Sequence, residues 1–500
     1  MRGGAPARAL AGIAVALVVL AGLEAAAAVV LRLTSPAPAA PGAGPLDAVT
    51  ATLKGLDANP APLVPDPELL WRNQPGARRT QPVNPRAYGR HDLWTLENDA
   101  QGFRAAAAQE AGAPGSPAYR ILCVGDSVTF GFNVDQPDTY PRQLRDLLAR
   151  AHPGVRFEVV NAGVPGWSWL QGLRFLETRG LALHPDLVVI GHGTNDRALP
   201  ATITDDERFD RLATPLRRGV LGLASLLSRT NLYRAAGRLL PRAAEEAASP
   251  GCRRQIRQDG ACHRLSLDEI GEAVGQVVRV VRAAGADLVV LDTDFLGTGA
   301  AGASRAAASK DGVAFVDAVA EVQRRRRAEA DRIAAERGLA PAGALAVAAA
   351  PSRQVILRVV VPDSAAAYRV AARPYPASGD PLLVPLHDDG AQGDERAGDG
   401  VYSALVEVPQ GTLGIEYQFY RGDEAEFTAL PPMGSMPGRY LAVEAGLRAP
   451  VDVFGRSFLM VERVHPDAAG QRVVAGMVAD AAGRLAGFGR AVGTGRAARD

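Results

Sequence analysis

The stretch RILCVGDS, residues 120–127, places an apolar run of strand length directly before a polar turn. Four more short runs rich in Val, Ile and Leu follow along the chain, at residues 157–161, 186–191, 287–292 and 313–317. Such runs are apolar on both faces and are separated mostly by segments long enough for a helix, a pattern typical of parallel strands covered on both sides. The sequence therefore predicts an α/β fold with a doubly wound, parallel, five-stranded sheet.

Polar residues and glycines follow the first three runs, at the point where each strand should end. The tripeptide GDS ends at Ser127, the dipeptide AG ends at Gly163, and HGTND covers 192–196. Ligands of such sheets bind beyond the carboxyl ends of the strands. The Ser127 hydroxyl, the Gly163 N–H and the carboxamide of Asn195 should meet there, as a nucleophile with two candidate oxyanion donors.

A serine nucleophile needs a base, and seven histidines are available in the chain. His465 is the favoured candidate because it stands directly before an apolar-periodic segment, residues 468–485, and follows Glu462 by three positions. A carboxylate at that spacing can fold back onto the imidazole, fix its tautomer and stabilise the imidazolium. His192 also lies at the edge of the sheet, but it has no carboxylate spaced to orient it, and a role in the wall of the site is favoured.

Four sequence blocks together resemble those of the SGNH (GDSL) hydrolases: GDS at 125–127, Gly163, GTND at 193–196 and ExxHP at 462–466. By this resemblance Ser127 is the nucleophile, its own N–H forms the oxyanion hole with Gly163 and Asn195, and His465 is the base. The family usually has Asp three residues before the histidine. This chain has Glu462 there, and its longer side chain can still orient the ring.

Single residues of these blocks also fit purely structural roles. Ser127 alone could be a helix N-cap, and Gly163 could be a turn glycine. Asp126 is favoured as a structural hydrogen-bond acceptor in its turn. Asp196 is favoured as the cap of the helix that follows it.

Two further motifs suggest ligands that the surrounding sequence disfavours. GTGAAG at 297–302 matches G-x-G-x-x-G, but residues 293–296 separate it from the preceding strand, which disfavours dinucleotide binding. The four arginines at 324–327 lie in a helical pattern between two glutamates and predict a solvated helix face. No cofactor and no metal are predicted.

The composition excludes several classes of protein. The 500 residues hold 55 Lys plus Arg against 54 Asp plus Glu, so a net charge of +1 provides no field that would gather nucleic acid. Hydrophobic residues at 47% and charged residues at 22% exclude wholesale disorder and a multi-span membrane protein. Three cysteines cannot form a disulfide scaffold. Cys252 and Cys262 can still close a small loop outside the cytoplasm, and Cys123 is expected to be a buried free thiol.

An N-terminal hydrophobic segment indicates export. Arg2 and Arg8 precede an apolar stretch at 9–31, in the order of a signal peptide. A cleaved signal and a retained membrane anchor fit this pattern equally. Residues 1–45 therefore form a signal or anchor plus a Pro/Ala/Gly-rich linker, and 46–117 form an irregular lead-in that packs on the α/β domain. The protein is expected outside the cytoplasm, as periplasmic, membrane-anchored or secreted.

Residues 351–446 change to an alternating pattern with turn signals between the runs, which predicts an inserted all-β sandwich. The hydrolase domain is then discontinuous, at 118–350 and 447–500. The loop HDDGAQGDERAGDG at 387–400 resembles Asp/Gly turns of immunoglobulin-like bacterial surface domains. Oxygen-rich loops can hold Ca²⁺, but the spacing matches no EF-hand and a solvated turn is favoured.

Together these features predict an exported serine esterase of the SGNH type that hydrolyses acyl esters, with O-acetyl groups on polysaccharide as the preferred substrate. One alternative is a carbohydrate O-acetyltransferase that uses the same acyl-serine, because only the acceptor differs. Another is a non-catalytic, glycan-binding surface protein, which Glu462 in place of the usual Asp would favour. The expected partners are the ester substrate and, if the N-terminal segment is retained, the membrane.

Overall fold

A computed structural model describes most of the 500 residues of the chain. Two compact units can be separated, residues 1–74 with 202–251, and residues 75–201 with 252–500. The second unit contains the central sheet. The described residues are 19–27, 61–83, 86–87, 92–105, 118–197, 201, 203–212, 215–227, 230, 250–253, 262–344, 352–375, 380–410, 412, 414–428, 439–443, 447–461 and 464–497.

Strands and helices alternate through the α/β part of the chain, and strands dominate from residue 343 to residue 453. The helices are α1 (Ser127–Phe130), α2 (Tyr140–Ala151), α3 (Trp169–Phe175), α4 (Thr194–Arg197), α5 (Asp205–Leu212), α6 (Pro215–Leu227), α7 (Pro250–Arg253), α8 (Leu267–Ala283), α9 (Ala300–Lys310), α10 (Ala318–Glu336), α11 (Ala468–Gly483) and α12 (Ala486–Ala497). The strands are β1 (Leu63–Asp66), β2 (Leu70–Asn73), β3 (Arg78–Pro82), β4 (Arg86–Ala87), β5 (Leu93–Glu97), β6 (Ala118–Gly125), β7 (Arg156–Gly163), β8 (Leu187–Gly191), β9 (Asp287–Leu291), β10 (Ala314–Val316), β11 (Gly343–Ala344), β12 (Ser352–Val360), β13 (Tyr368–Tyr375), β14 (Leu382–Pro385), β15 (Val401–Pro409), β16 (Gly414–Arg421), β17 (Glu424–Ala425), β18 (Phe427–Thr428), β19 (Arg439–Ala442) and β20 (Leu447–Val453).

Five parallel strands form the central sheet in the order β10-β9-β8-β6-β7. The chain starts at β6, adds β7 on one side, and then adds β8, β9 and β10 on the other. The middle strand β8 is buried along its whole length, as expected when helices cover both faces of a sheet. These pairings confirm the doubly wound, five-stranded α/β fold that the sequence predicts.

The register of the sheet brings three strand ends to one level. Gly125 at the end of β6 lies opposite Gly163 on β7 and opposite Gly191 on β8. The segments that follow these strands therefore begin side by side at the carboxyl edge of the sheet, where ligands of such folds bind.

The crossover helix α8 shows why the sequence forms a helix between β8 and β9. Ser266 and Glu269 form a capping box, in which each side chain accepts a hydrogen bond from the main-chain N–H of the other residue. The apolar stripe that includes Ile270, Val274 and Val281 is fully buried. Burial of this stripe fixes α8 within the packed domain.

Two further sheets lie between α10 and the C-terminal helices. Their strand orders are β11-β20-β12-β15 and β14-β13-β16-β17, with β19 also paired to β16. Alternate side chains of both sheets are buried in one shared cluster, which includes Val355, Val370, Val406 and Phe419. The alternating pattern of the sequence thus corresponds to strands that bury one face against a second sheet. These two sheets together are the sandwich.

The part of the lead-in that belongs to the second unit, from residue 75 onward, contacts two other parts of that unit. β3 and β5 form an antiparallel pair. β4 pairs with β18, which belongs to the same part of the chain as the sandwich. The N–H of Arg104 donates to the carbonyl oxygen of Asn161 on β7 over 3.1 Å. These main-chain contacts attach this later part of the lead-in to both the central sheet and the sandwich.

The smaller unit contains the antiparallel pair β1–β2 and the helices α5 and α6. Residues 19–27 are helical, and the rest of the predicted signal or anchor region lies outside the described residues. None of the helices described is both long enough and apolar enough to cross a bilayer.

The three cysteines differ in state. Cys252 and Cys262 are joined by a disulfide, with their Cα atoms 5.2 Å apart. Cys123 on β6 is a buried free thiol, as its apolar surroundings in the sequence indicate. Burial raises the pKa of this thiol to about 12, so it stays protonated at neutral pH.

Candidate active site

Ser127 is the first residue of α1 and follows β6 with one position between them. Asp126 fills that position and caps the helix, because its carboxylate accepts a hydrogen bond from the N–H of Val128 over 2.9 Å. Asp126 therefore has the structural role expected of it, and the capping role considered for Ser127 is already filled. The Ser127 hydroxyl can serve other contacts, although only 9% of the residue is exposed.

His465 lies against Ser127, although 338 positions separate them in the chain. The imidazole Nε2 and the serine Oγ are 2.8 Å apart, which is hydrogen-bond distance. With its Nε2 unprotonated, the imidazole can accept the serine proton directly. The structure thus brings together the two residues that the sequence predicts as nucleophile and base.

The segment that carries His465 is held by main-chain hydrogen bonds on both sides of the residue. The N–H of Val461 donates to the carbonyl oxygen of His465 over 2.7 Å, and the N–H of Asp467 donates to that of Leu459 over 3.1 Å. The Asp467 carboxylate then caps α11 by accepting from the N–H of Gly470 over 2.8 Å. His465 is therefore positioned by a closed turn that leads directly into a packed helix.

Glu462, the predicted orienting carboxylate, lies outside the described residues. Its role in orienting His465 stays a prediction. Phe132 and Asp126 are among the groups that contact or influence the imidazole. The ring of Phe132 packs against it with the centroids 4.9 Å apart, and the buried Asp126 carboxyl interacts with it electrostatically.

The three predicted oxyanion donors lie at the same edge of the sheet, and two of them donate within the protein. The side-chain nitrogen of Asn195 donates to the Trp167 carbonyl oxygen over 3.2 Å and lies 3.4 Å from the Asp126 carboxylate. The N–H of Gly163 donates to the side-chain oxygen of Asn161 over 3.0 Å. To bind an oxyanion, each of these two donors must either donate to it as well as to its present acceptor, or give up that acceptor.

Close packing explains the glycine at position 163. A Cβ atom there would lie 2.2 Å from the main-chain nitrogen of Phe130 in α1, which no side chain can tolerate. Gly163 therefore lets α1 approach the end of β7, in addition to presenting its N–H at the edge. Gly125 is constrained in the same way, because its Cβ would lie 2.1 Å from Oγ1 of Thr129.

Burial, with a smaller contribution from the nearby Asp294 carboxylate, raises the pKa of Asp126 to about 7. Hydrogen bonds from the main chain and the proximity of His465 act in the opposite direction. Asp126 is thus a carboxyl group that titrates near neutral pH, beside the serine and within reach of the Asn195 amide.

Asp196 caps a helix other than the one predicted. Its carboxylate accepts from the N–H of Trp169, the first residue of α3, over 2.9 Å, while Asp196 itself lies inside α4. The expectation that Asp196 caps the helix that follows it is therefore wrong, because the fold brings a more distant helix start to it. His192 is fully buried with its ring against Trp169, and burial lowers its pKa to about 3, as suits a wall residue.

Arg104 of the lead-in supports the site, and no pattern in the sequence singles it out. It is 2% exposed and donates to the carbonyl oxygens of Val134 over 2.8 Å and of Thr95 over 3.1 Å. Its guanidinium also lies over the rings of Trp94 and Phe130, at 5.2 and 4.6 Å from their centroids. Burial lowers the pKa of this guanidinium to about 9.

Arg104 thus anchors the segment that follows α1. Trp94 packs on Phe132 with the ring centroids 5.3 Å apart, and Phe132 packs on His465. A buried arginine of the lead-in is therefore linked through two aromatic rings to the imidazole. Its long-range carbonyl partners carry no signal in a local sequence pattern.

The arginine run at 324–327 differs in part from its prediction. Arg324 and Arg325 are exposed and pair with Glu321 on the same helix, as a solvated face would. Arg326, however, is half-buried and lies within electrostatic reach of Asp452 and Tyr417 of the sandwich. The prediction of a uniformly solvated face is wrong for this residue, because the sandwich packs beside α10.

The aspartate-rich loop at 387–400 forms a hydrogen-bonded turn. Carboxylate oxygens of Asp388, Asp394 and Asp399 lie within 4.8 Å of one another. The Asp388 carboxylate accepts from the main-chain N–H groups of Gly398, Asp399 and Gly400. These bonds give the acidic residues a structural role in the turn.

The glycine motif at 297–302 also has a structural explanation. Gly299, with φ of 93°, precedes α9 in a left-handed conformation. The Asp294 carboxylate accepts from both the N–H and the hydroxyl of Thr298, over 3.1 and 3.0 Å. The turn between β9 and α9 is thus organised by its own carboxylate.

Parts of the chain are similar to known proteins. Residues 123–352 match the GDSL-like Lipase/Acylhydrolase family. This match includes the blocks at 125–127, 163 and 193–196, and it supports the family resemblance for that part of the chain. An acetylxylan esterase of Xylanibacter ruminicola is 37% identical over 92 residues, which is 17% of this chain and 18% of that protein. The chain thus spans about a fifth of the length of this curated relative.

Several solved structures resemble part of the chain at low identity. An α/β hydrolase from the metagenome of Lake Arreo is 15% identical, with a TM-score of 0.24, and the match covers 41% of this chain and 80% of the other. TesA is 19% identical, with a TM-score of 0.24 and coverage of 39% and 77%. An acetylxylan esterase of Geobacillus stearothermophilus is 16% identical, with a TM-score of 0.24 and coverage of 41% and 78%.

Proposed function

We propose that this chain, whose residues 123–352 match the GDSL-like lipase and acylhydrolase family, is an esterase that hydrolyses acyl esters through Ser127. The observation that carries the proposal is the 2.8 Å contact between Ser127 Oγ and His465 Nε2 at the carboxyl edge of the sheet. A hydroxyl at that distance from an imidazole can lose its proton as it attacks an ester carbonyl.

In the proposed reaction His465 accepts the proton of Ser127 while Oγ forms a bond to the carbonyl carbon. The resulting oxyanion is stabilised by the Asn195 amide and by the N–H groups of Gly163 and Ser127. The imidazolium returns its proton to the leaving alcohol as the C–O bond breaks, which leaves an acyl-serine. Water, deprotonated by His465, then releases the acid and restores the serine.

The test of this proposal is hydrolysis of p-nitrophenyl acetate by the full chain. Replacement Ser127→Ala or His465→Gln should lower kcat by at least about 1000-fold without unfolding the protein. Hydrolysis that persists in Ser127→Ala would assign the activity to another group. Absence of both hydrolysis and phosphonate labelling of Ser127 in the folded wild type would favour a binding protein instead.

The proposed substrate class is polysaccharide that carries O-acetyl groups. The partial match to an acetylxylan esterase supports this choice, since that relative acts on an acetylated polysaccharide by its name. A release assay for acetate, run with and without an added sugar acceptor, distinguishes hydrolysis from transfer. Acetyl transfer that outruns acetate release would assign the protein to the O-acetyltransferases.

We also propose that the protein works outside the cytoplasm. The apolar stretch at 9–31 behind Arg2 and Arg8 supports export, and the disulfide between Cys252 and Cys262 suits an oxidising compartment. Fractionation of producing cells tests the location, and N-terminal sequencing of the isolated protein distinguishes a cleaved signal from a retained anchor. Recovery with the cytoplasmic fraction would contradict the proposal.

A further inference from the structure

A cleft of about 760 Å³ lies beside the site, and neither Ser127 nor His465 lines it. Its lining comes from segments that are distant in sequence, among them the lead-in at Leu93 and Trp94, the segment after α1 at Asn133, and the loop 455–461. Residues of α10, β18 and α11 also line it. A volume of this size is typical of sites that bind small ligands or short stretches of a polymer. The cleft has no role in the reaction steps given above.

The cleft adjoins His465 through two sets of contacts. Val461 lines the cleft, and its N–H donates to the carbonyl oxygen of His465 over 2.7 Å. Trp94 also lines it and reaches His465 through the ring of Phe132, with centroid separations of 5.3 and 4.9 Å. A ligand in the cleft would therefore lie within two ring contacts of the imidazole.

The chemistry of the lining suits a neutral, polyhydroxylated ligand. Leu93 is 60% exposed, and the Arg456 guanidinium lies over the Phe458 ring at 5.0 Å from its centroid, so that flat and apolar surfaces are available. Asp92 and Asp138 add hydrogen-bond acceptors. An acyl chain has no hydrogen-bond donors for the carboxylates that line the cleft, and a polyanion would be repelled by them.

The sandwich holds the loop that forms part of this lining. Arg439 and Glu426 form an ion pair of 2.8 Å that is buried almost completely. Arg439 also donates to the carbonyl oxygens of Val453 and Arg456, each over 2.9 Å, and Glu426 accepts from the N–H of Gly455 over 3.2 Å. The loop that presents Arg456 and Phe458 is therefore fixed in position before a ligand binds.

We propose that this cleft binds the sugar chain of an O-acylated polysaccharide whose ester Ser127 cleaves. The proposal rests on the esterase function proposed above and assigns to the lead-in and the sandwich a shared role in substrate binding. Sugar rings would lie against Leu93 and the Arg456–Phe458 pair, with their hydroxyls donating to Asp92 and Asp138. The acyl group alone would then enter the site at Ser127.

The test compares two kinds of substrate on the full chain. Phe458→Ala, Arg456→Ala and Leu93→Ala should each raise KM for O-acetylated oligosaccharides by about tenfold, because they remove contacts to the sugar chain. The substrates are acetylated fragments of xylan, mannan and peptidoglycan. For p-nitrophenyl acetate, which has no sugar chain, kcat/KM should stay within about twofold of the wild type. Leu383→Ala is the matched control, since Leu383 is 61% exposed on β14 and does not line the cleft.

The outcomes separate this proposal from the esterase function. If the wild type shows no hydrolysis of p-nitrophenyl acetate that depends on Ser127, the esterase function is overturned. Binding of the same oligosaccharides to Ser127→Ala, measured by calorimetry, then still tests the cleft on its own. Equal effects of the cleft variants on both kinds of substrate, or cleavage of the acetate ester without cleavage or binding of any oligosaccharide, would overturn the cleft proposal.

Discussion

Gln471 joins the helix that follows His465 to the helix that begins at Ser127. Its side-chain nitrogen donates to the carbonyl oxygen of Val128 over 3.1 Å, while its side-chain oxygen accepts from the N–H of Tyr140 over 2.8 Å. The residue is fully buried. One carboxamide thus sets the spacing between the segments that carry the proposed nucleophile and base.

We expect Gln471→Leu to lower kcat for p-nitrophenyl acetate by about tenfold or more, because small displacements of reacting groups have large effects on rate. KM for this small ester should change little. Gln418→Leu is the matched control, since Gln418 is a buried glutamine of the sandwich that donates to the carbonyl oxygen of Phe427. Equal losses of kcat in both variants, at temperatures where both are folded, would show that Gln471 acts only on stability.

Arg104 gives a second prediction for the same geometry. Replacement Arg104→Met leaves the carbonyl oxygens of Val134 and Thr95 without this donor, at about 1–3 kcal/mol of stability for each buried group. We expect kcat to fall as Phe132 and the imidazole shift, with partial recovery in Arg104→Lys.

The control for Arg104 is Arg358→Met. Arg358 is also buried and donates to main-chain carbonyl oxygens, those of Ala449 and Ala340. Unlike Arg104, it lies in the sandwich, on β12. The Arg358→Met variant should have a lower free energy of unfolding, while its kcat at low temperature stays unchanged. The imidazole signals of His465 in the NMR spectrum provide a readout independent of turnover, and unchanged signals in Arg104→Met would contradict the positioning role.

Asn195→Ala tests the proposed oxyanion donors. The amide nitrogen of Asn195 is held by the Trp167 carbonyl oxygen at the edge of the sheet, so its position is set before an ester binds. Loss of one such donor typically lowers kcat by about 100- to 1000-fold with little change in substrate binding. A kcat within a few fold of the wild type would instead leave Asn195 with its structural hydrogen bonds alone.

The free energy of unfolding should depend on pH through Asp292, which follows β9. Burial raises the pKa of Asp292 to about 7 from an ordinary value of 3.8. The folded protein therefore binds a proton that the unfolded chain releases between these two pKa values. This stabilisation is complete below the lower value and is lost as the pH rises through the higher one. From Asp292 alone, stability at pH 5 should exceed that at pH 8 by about 2–3 kcal/mol.

Asp292→Asn should reduce that difference, measured by urea unfolding at pH 5 and pH 8. Asp126 acts in the same direction, because burial raises its pKa to about 7 as well, so part of the difference should remain. Asp480→Asn, at an exposed position of α11, is the control and should leave the difference unchanged. An undiminished difference in Asp292→Asn would contradict the assignment.

The central sheet and the positions of Ser127, Gly163 and Asn195 follow from the sequence because buried parallel strands place their carboxyl ends at one edge. His465 could be singled out because it stands at the start of the apolar helix α11 and because its block resembles a known family. These predictions depend on patterns within short stretches of chain.

Other features of the site depend on contacts that no short stretch records. Arg104 donates to carbonyl oxygens as far as 30 positions away in the chain. Asp196 caps α3, whose first residue precedes Asp196 by 27 positions. Arg326 is drawn toward the sandwich although its neighbours are solvated. In each case the partner is fixed by tertiary packing, so propensity and spacing give no signal for it.

The placement of the sandwich between Ser127 and His465 has a consequence for biosynthesis. A nascent chain that has emerged only as far as the second β-sheet region holds the serine but not the imidazole, which arrives 338 positions later. The proposed chemistry can therefore start only after the segment around His465 has been made and folded back against the first strand of the central sheet. Any ester encountered before that point would meet an inert protein.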